Sequence, residues 1–247
     1  MLQNAQLIGL SRQMALQRQM DVVANNMANI NSTGFKGESI LFQEYVMPKA
    51  LDRTFPGGSQ TLSYVQDWAT MHDFAPGTLV RTGNPLDVAL EGEGFLAVQT
   101  PQGERWTRNG VLQINAEGVL INHSGHPVQS QGGGQFLFAA DETDITINED
   151  GTVSSSAGLK GQLRIVEFAN TQELNRHGDT LFSGGTPQVA EATTVIQGAT
   201  ERSNVTGVAE MSEMIRITRA YTSLADLMQR QDELRRSAIQ RLGDMQA

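Results

Sequence analysis

Ala24-Asn25-Asn26-Met27-Ala28-Asn29-Ile30-Asn31-Ser32-Thr33-Gly34-Phe35-Lys36 closes the opening segment of the chain, and its reading decides the fold. Asn favours caps and turns over helix interiors, because its amide competes for nearby backbone groups. Four of the seven residues from Asn25 to Asn31 are nevertheless Asn, at the end of an apolar-periodic run. A lone helix gains little from them. A helix packed by other chains can use Asn25, Asn26 and Asn29 as lateral hydrogen-bond partners, since buried polar groups must be satisfied. Gly34 then supplies the permissive backbone of a helix stop.

Upstream of this run, Leu7, Leu10 and Met14 step by three and four, and Leu16, Met20, Val23, Met27 and Ile30 resume the same steps after a phase slip. The spacing predicts a helix with a narrow apolar seam. Near the other end Met214, Ile217, Tyr221, Leu224 and Met228 repeat the pattern, extended by Leu227, Leu234, Ala238 and Leu242. A second, longer helix is predicted there. Because both helices leave the same central region, the intramolecular solution is an antiparallel pair with coiled-coil-like packing. Stripes alone imply an ordinary helical hairpin on a monomer. The Asn cluster and a sparsely charged surface shift the expectation toward contacts between subunits, made by Leu7, Leu10, Met14, Met20, Val23, Met27 and Ile30 of the first helix and Met214, Ile217, Tyr221, Leu224 and Met228 of the second, together with Asn25, Asn26 and Asn29.

Charge supports that shift. The chain has 247 residues and a net charge of −9. Residues 1–30 carry only Arg12, Arg18 and Asp21, while residues 205–247 balance six Arg against six acids, so the middle holds the negative excess. An acidic centre disfavours nucleic acid and anionic membrane as partners. All cations of the last segment are Arg, whose planar fork suits ion pairs inside interfaces. The longest apolar run, Phe136 to Ala140, is far shorter than the roughly 20 residues of a membrane span. The first thirty residues lack the apolar core of a cleavable secretory signal, so no membrane insertion and no export by the general pathway are expected. With no Cys in the chain, disulfide and zinc-thiolate chemistry are excluded and stability rests on packing or assembly.

Between the helices the pattern changes to short alternating runs: Leu86 to Leu90, Phe95 to Gln99, Val111 to Asn115 and Gln162 to Phe168. Gly94, Gly103, Gly110, Gly118 and Gly125 punctuate them within turn-forming sequences. The expected fold class is α+β, with terminal helices paired and a central antiparallel all-β domain. Its expected divisions are an N-terminal helix over 1–33, a bridging region over 34–84 containing Pro56-Gly57-Gly58-Ser59, a β domain over 85–182, a return segment over 183–204 and a C-terminal helix over 205–247.

Sites of chemistry are poorly supported. Gly92-Glu93-Gly94-Phe95-Leu96-Ala97 fits G-x-G-x-x-A, but a dinucleotide site needs a helix opening at the loop, and here a strand continues. Gly132-Gly133-Gly134 lacks a following Lys and reads as a flexible loop. His123 and His126 flank Ser124-Gly125 and can face a common point in a turn, yet no Cys or clear acidic third ligand accompanies them. Asp141, Glu142 and Asp144 lack the spacing of an EF-hand and read as a solvated loop. No G-x-S-x-G elbow is present. No catalytic residue, cofactor or metal is expected.

The run quoted first resembles the N-terminal signature of the axial proteins of the bacterial flagellum, the rod and hook family, whose usual form reads close to N-N-hydrophobic-A-N-hydrophobic-N-T-T-G-F-K. Only Ser32 departs from it, conservatively. Glu201-Arg202-Ser203-Asn204-Val205, Glu210-Met211, Met214-Ile215 and Arg219-Ala220-Tyr221 are similar to the family's C-terminal motif. Leu86-Asp87-Val88-Ala89-Leu90-Glu91-Gly92-Glu93-Gly94-Phe95-Leu96, with Thr107-Arg108-Asn109-Gly110, looks like its central β signature. Within the family, Gly9-Leu10-Ser11-Arg12-Gln13 with Asp21-Val22-Val23-Ala24 is most similar to the proximal-rod members beside the distal rod. The resemblance implies a structural subunit that stacks helically with copies of itself and other rod proteins and transmits torque. It also implies passage as unfolded chain through the flagellar type III export apparatus, ends that order only on assembly, and residence in the basal body where the rod spans the periplasm. The alternatives are a distal-rod or hook subunit, or a β-rich binding module or hydrolase with a helical dimerisation stem.

Overall fold

The structure, a computed structural model, describes residues 2–47, 62–178, 180–190 and 192–244. The Pro56-Gly57-Gly58-Ser59 stretch of the expected bridging region lies outside the described residues. The chain forms two compact units: one contains Met1–Met27, Glu38–Met71 and Gly207–Ala247, the other Ala28–Gly37 and His72–Thr206.

In the first unit, helix α1 spans Leu2–Ala28 and helix α2 spans Gly207–Asp244. They run antiparallel. Gly9 faces Met228, the Gln13 amide donates to the Tyr221 hydroxyl at 2.8 Å, Thr218 meets the Met20 sulfur, and Asn26 reaches Glu210. The seam of α1 is a seven-residue repeat of Gly9, Gln13, Leu16, Met20, Val23 and Met27, all buried or half-buried. On α2 the facing repeat is Met214, Ile217, Tyr221, Leu224 and Met228, with Ile217 fully buried. Steps of three and four over several heptads are the pattern of coiled-coil-like packing. A Cβ at Gly9 would lie 3.2 Å from the Met228 sulfur, so this end of the seam is a close approach of the helices. Strands Glu38–Met47 and Leu62–His72 pair in a two-stranded ribbon.

The second unit is built on a six-stranded antiparallel sheet with the order Asn175–His177, Leu181–Ser183, Gly103–Thr107, Phe95–Thr100, Ile165–Glu167, Gln188–Val189. Its central strand explains the layering. Successive side chains of a strand point to opposite faces. Phe95 and Ala97 enter one cluster with Trp106, Val166, Phe168, Leu174 and Phe182, while Leu96 and Val98 enter another with Leu90, Leu112, Leu120, Phe136, Val153 and Val195. Because both faces are covered, the strand is a continuous apolar run, not an alternating one. The aromatic cluster is held by edge contacts, with Phe95 and Phe168 centroids 5.6 Å apart and Trp106 and Phe168 at 5.5 Å.

This unit reaches beyond the 85–182 span expected from sequence. Thr194–Gln197 pairs with Val88–Glu91, and Ala199–Glu201 pairs with Leu79–Arg81, so both bridging segments contribute strands. Val195 is buried in the core opposite Leu90, which is why the return segment cannot be a mere linker. After Gly92-Glu93-Gly94 the chain continues as a strand with no helix. A Cβ at Gly94 would fall 2.7 Å from the Thr193 hydroxyl, so this glycine serves close packing of the return segment. Gly132-Gly133-Gly134 is a tight turn closed by Ser130 N–H to Gly134 O at 2.8 Å.

Candidate assembly surface and the junction of the terminal motifs

The apolar residues of the terminal helices divide into two sets. Met20, Val23, Met27, Met214, Ile217, Tyr221, Leu224 and Met228 lie on the seam within the chain. Leu7, Leu10 and Met14 are instead 52%, 48% and 63% exposed. At 3.6 residues per turn this stripe points about 130° away from the seam. The phase slip in the sequence is therefore two stripes with two destinations. On α2, Val208, Met211 and Ile215 form a second exposed stripe, and Leu227 and Leu234 are also exposed. Leu227 and Leu234, read from sequence as continuing the seam, leave it. Val208 was not singled out by sequence reasoning, although the steps 208, 211, 215 carry the same three-four signal.

Asn26 finds its partners inside the chain. It is buried, its Nδ2 donates to Glu38 O at 2.8 Å and to Glu210 Oε1 at 3.2 Å, and its Oδ1 accepts from Glu38 N–H at 3.0 Å. The amide thus satisfies both backbone groups of the first residue of the ribbon. Burial raises the Glu210 carboxyl above its ordinary range, against the stabilising hydrogen bond from Asn26. Asn29 is buried too, and its Oδ1 accepts from Ser32 Oγ at 2.9 Å where the helix gives way to the turn. Ile30 is half-buried and Asn25 lies on the exposed side.

The three stretches that resemble family motifs meet in the second unit. Lys36 and Glu201 are buried, and their ion pair is 2.6 Å long. Lys36 Nζ also donates to Ala75 O at 2.8 Å, and Gly77 N–H donates to the same Glu201 oxygen at 2.7 Å. Arg108, likewise buried, stands 3.6 Å from the other Glu201 oxygen, donates to Leu90 O and Gly92 O, and lies 5.0 Å over the Phe95 ring. Burial lowers both the Lys36 and the Arg108 pKa, with the Glu201 charge opposing the change in each. The glycines make the approach possible. Gly34 has φ +67° and a Cβ there would lie 2.4 Å from the Arg108 backbone, while a Cβ at Gly77 would lie 1.9 Å from Arg202 O. Asn204 completes the closure: its Oδ1 accepts from Gly37 N–H at 2.8 Å and its Nδ2 donates to Asp73 O at 2.8 Å. Arg176 stacks 4.4 Å over Phe35 and donates to Lys36 O.

Among the described residues no group of His, Cys, Asp and Glu is arranged to hold a metal ion, and no helix is long and apolar enough to cross a membrane. Glu142 is tied down: Lys160 Nζ, Ser155 Oγ and Ala139 N–H all donate to it, and these bonds hold its carboxyl down at about 2.

Family profiles match three parts of the chain in order: Flagella basal body rod protein over residues 7–36, Flagellar hook protein FlgE/F/G D1 domain over residues 89–155, and Flagellar basal body rod FlgEFG protein C-terminal over residues 196–241. Flagellar basal-body rod protein FlgF of Caulobacter vibrioides is 40% identical over 245 residues, covering 97% of this chain and 98% of that protein. FlgF of Mesorhizobium japonicum is 31% identical, covering 98% and 99%. Flagellar basal-body rod protein FlgG of Agrobacterium fabrum is 32% identical, covering 89% and 92%. Each terminal profile overlaps one side of the Lys36–Glu201 pair, the central one takes in Arg108, and relatives align from end to end: the chain belongs to the flagellar basal-body rod protein family.

Proposed function

We propose that this chain is a structural subunit of the proximal part of the flagellar basal-body rod, built into the drive shaft by helical stacking with copies of itself and with other rod proteins. The observation that carries the reading is the end-to-end match to rod proteins of nearly equal length. The exposed stripes Leu7-Leu10-Met14 and Val208-Met211-Ile215 supply apolar surface for neighbouring subunits, and Asn25 lies on an outward side of α1. The seam residues serve the subunit's own helix pair, with half-buried members such as Met20 and Met228 completing their burial in the assembly. The role is mechanical and not enzymatic. The subunit reaches the rod through the flagellar type III export apparatus and works where the rod crosses the periplasm. Basal bodies purified from a motile strain carrying an epitope-tagged copy test this. The tag is expected in the rod fraction, and a deletion strain is expected to lack rods and motility. Tagged protein absent from purified basal bodies, with motility intact in the deletion strain, overturns the reading.

A further inference from the structure

The chain passes between its two units four times, after Met27, Gly37, Met71 and Thr206. Inside the second unit these passages are carried by residues 28–37, 72–78 and 199–206, and each of the three segments is tied to the other two. Gly37 O accepts from Asp73 N–H, Asp73 O accepts from Asn204 Nδ2, and Asn204 Oδ1 accepts from Gly37 N–H, all at 2.8 Å. The three bonds close a ring. One side-chain amide, carrying donor and acceptor side by side, stands in for the strand that a ladder would need there. A second ring lies one residue back along the first segment and is built with charge: Lys36 Nζ donates to Ala75 O at 2.8 Å and to Glu201 at 2.6 Å, and the same Glu201 oxygen accepts from Gly77 N–H at 2.7 Å. Beside it Gly34 N–H donates to Glu201 O at 2.8 Å and Arg202 N–H to Thr78 O at 2.9 Å, which keeps the segments in register.

The second ring is anchored to the β core by two arginines. Arg108, 3.6 Å from Glu201, donates to Leu90 O and Gly92 O, and Arg176 donates to Lys36 O while its guanidinium lies over Phe35 and Phe182. Equilibrium stability alone is a weak reason for this construction, because a buried ion pair is often matched by apolar residues of similar volume. What directional bonds add is resistance to sliding. In an open ladder a pulled strand loses its bonds one after another, whereas a member of a closed ring moves only when its bonds to both neighbours stretch together. Pulling on Gly37 loads Asp73 and Asn204 at once, and pulling on Asn204 loads Gly37 and Asp73.

We infer that the two rings form a force-bearing tie, in which load arriving along one passage is divided among all three segments and delivered through Arg108 and Arg176 to the β core. This rests on the reading of the chain as a rod subunit, whose units pass load to one another. It gives Asn204, a half-buried side chain two residues from the end of the unit, a role that its burial alone does not suggest.

The chain has no Cys, so handles for single-molecule force measurement can be placed in the purified full chain by substitution. Thr206, Gln102 and Ala157 are exposed. Thr206→Cys with Gln102→Cys loads one passage against the turn between Phe95–Thr100 and Gly103–Thr107, whereas Gln102→Cys with Ala157→Cys loads the β unit without the passages. Forced unfolding follows the barrier along the pulled path. At a fixed force, Asn204→Ala is expected to raise the unfolding rate at least about tenfold in the first geometry and less than about threefold in the second, since only the first path crosses the ring. Asn204→Asp has the same size and keeps the acceptor for Gly37 N–H but loses the donor to Asp73 O, so it is expected to act in the same sense and decides the matter if the Ala variant does not fold. Equal acceleration in the two geometries, or none in the first, overturns the tie and leaves Asn204 a contributor to stability alone. The rod reading fails separately, by the absence of tagged wild-type chain from basal bodies.

Discussion

At the scale of single residues, the buried Lys36–Glu201–Arg108 group concentrates the most consequence in the fewest atoms. It holds two cations against one carboxylate, and it joins segments 165 residues apart. Removing one partner of a buried pair typically costs about 3–5 kcal/mol, because the other charge stays buried. Lys36→Met is therefore expected to lower the urea midpoint of the whole chain strongly, and Glu201→Gln at least as much, since it strands two cations. Equilibrium urea unfolding checks this; a loss below about 1 kcal/mol for both would mean the pair is dispensable. Glu210 offers a test with a pH sign. Its carboxyl is raised in the folded state, chiefly by burial, so the folded chain binds the proton more tightly than the unfolded one. Stability then falls as pH rises from the unfolded carboxyl range through the raised value. Glu210→Gln keeps an acceptor for Asn26 and is expected to raise the melting temperature at neutral pH and to leave it unchanged well below pH ~4. A variant no more stable than wild type at neutral pH contradicts this sign.

At the scale of elements, the return strands decide what can fold alone. A fragment of residues 84–183 is complete by its turns and strand patterns, yet it omits Thr194–Gln197, which covers Val88–Glu91, and Val195, which fills the core. It also omits Phe74, packed in the aromatic cluster, and one side of the ion pair at each end. Residues 28–206 are expected to unfold cooperatively in calorimetry, and 84–183 to give no cooperative transition; a sharp transition from the shorter fragment would show the return strands to be ornament. Helix positions and strand positions were legible, because they rest on local period. The burial of Phe95–Thr100 on both faces was not, since the run reads as one of several alternating strands until both apolar clusters are placed around it. The junction was not legible either. Nothing in the spacing of Lys36 and Glu201 marks them as partners, and the motif that resembles a family signature gave its residues without their contacts. The acidic loop shows the same limit: Glu142 reads as solvated until Lys160 and Ser155 are placed beside it. Its pKa is depressed to about 2, so its contribution is present above the unfolded carboxyl range and lost as pH falls toward that value. Glu142→Gln is expected to make the unfolding of residues 28–206 less steep with acid between about pH 4.5 and 2, measured by circular dichroism melts.

At the scale of the whole molecule, each terminal helix carries one buried and one exposed apolar stripe, and the proposed rod role assigns the first to folding and the second to assembly. Ile217 is fully buried against α1, so Ile217→Asp is expected to unfold the helix pair itself. Such a variant says nothing specific about the rod. Leu10 and Ile215 are each 48% exposed, and about half of each side chain remains to be buried by a neighbour. Full burial of a Leu or Ile contributes about 1.5–3 kcal/mol, so the remaining surface of one residue is worth on the order of 1 kcal/mol per contact. Asp there forfeits that gain and adds the larger cost of an unpaired charge in an apolar interface. Leu10→Asp and Ile215→Asp are therefore expected to preserve the helical circular dichroism and melting temperature of the purified chain while blocking its incorporation into basal bodies. Leu10→Met, which keeps the apolar surface, is expected to assemble. The discriminating comparison is incorporation against fold for the three variants and Ile217→Asp. If Ile215→Asp and Leu10→Asp enter rods as well as wild type, the outward stripes are not the surface by which the subunits pack, and the interface must lie on the β unit alone.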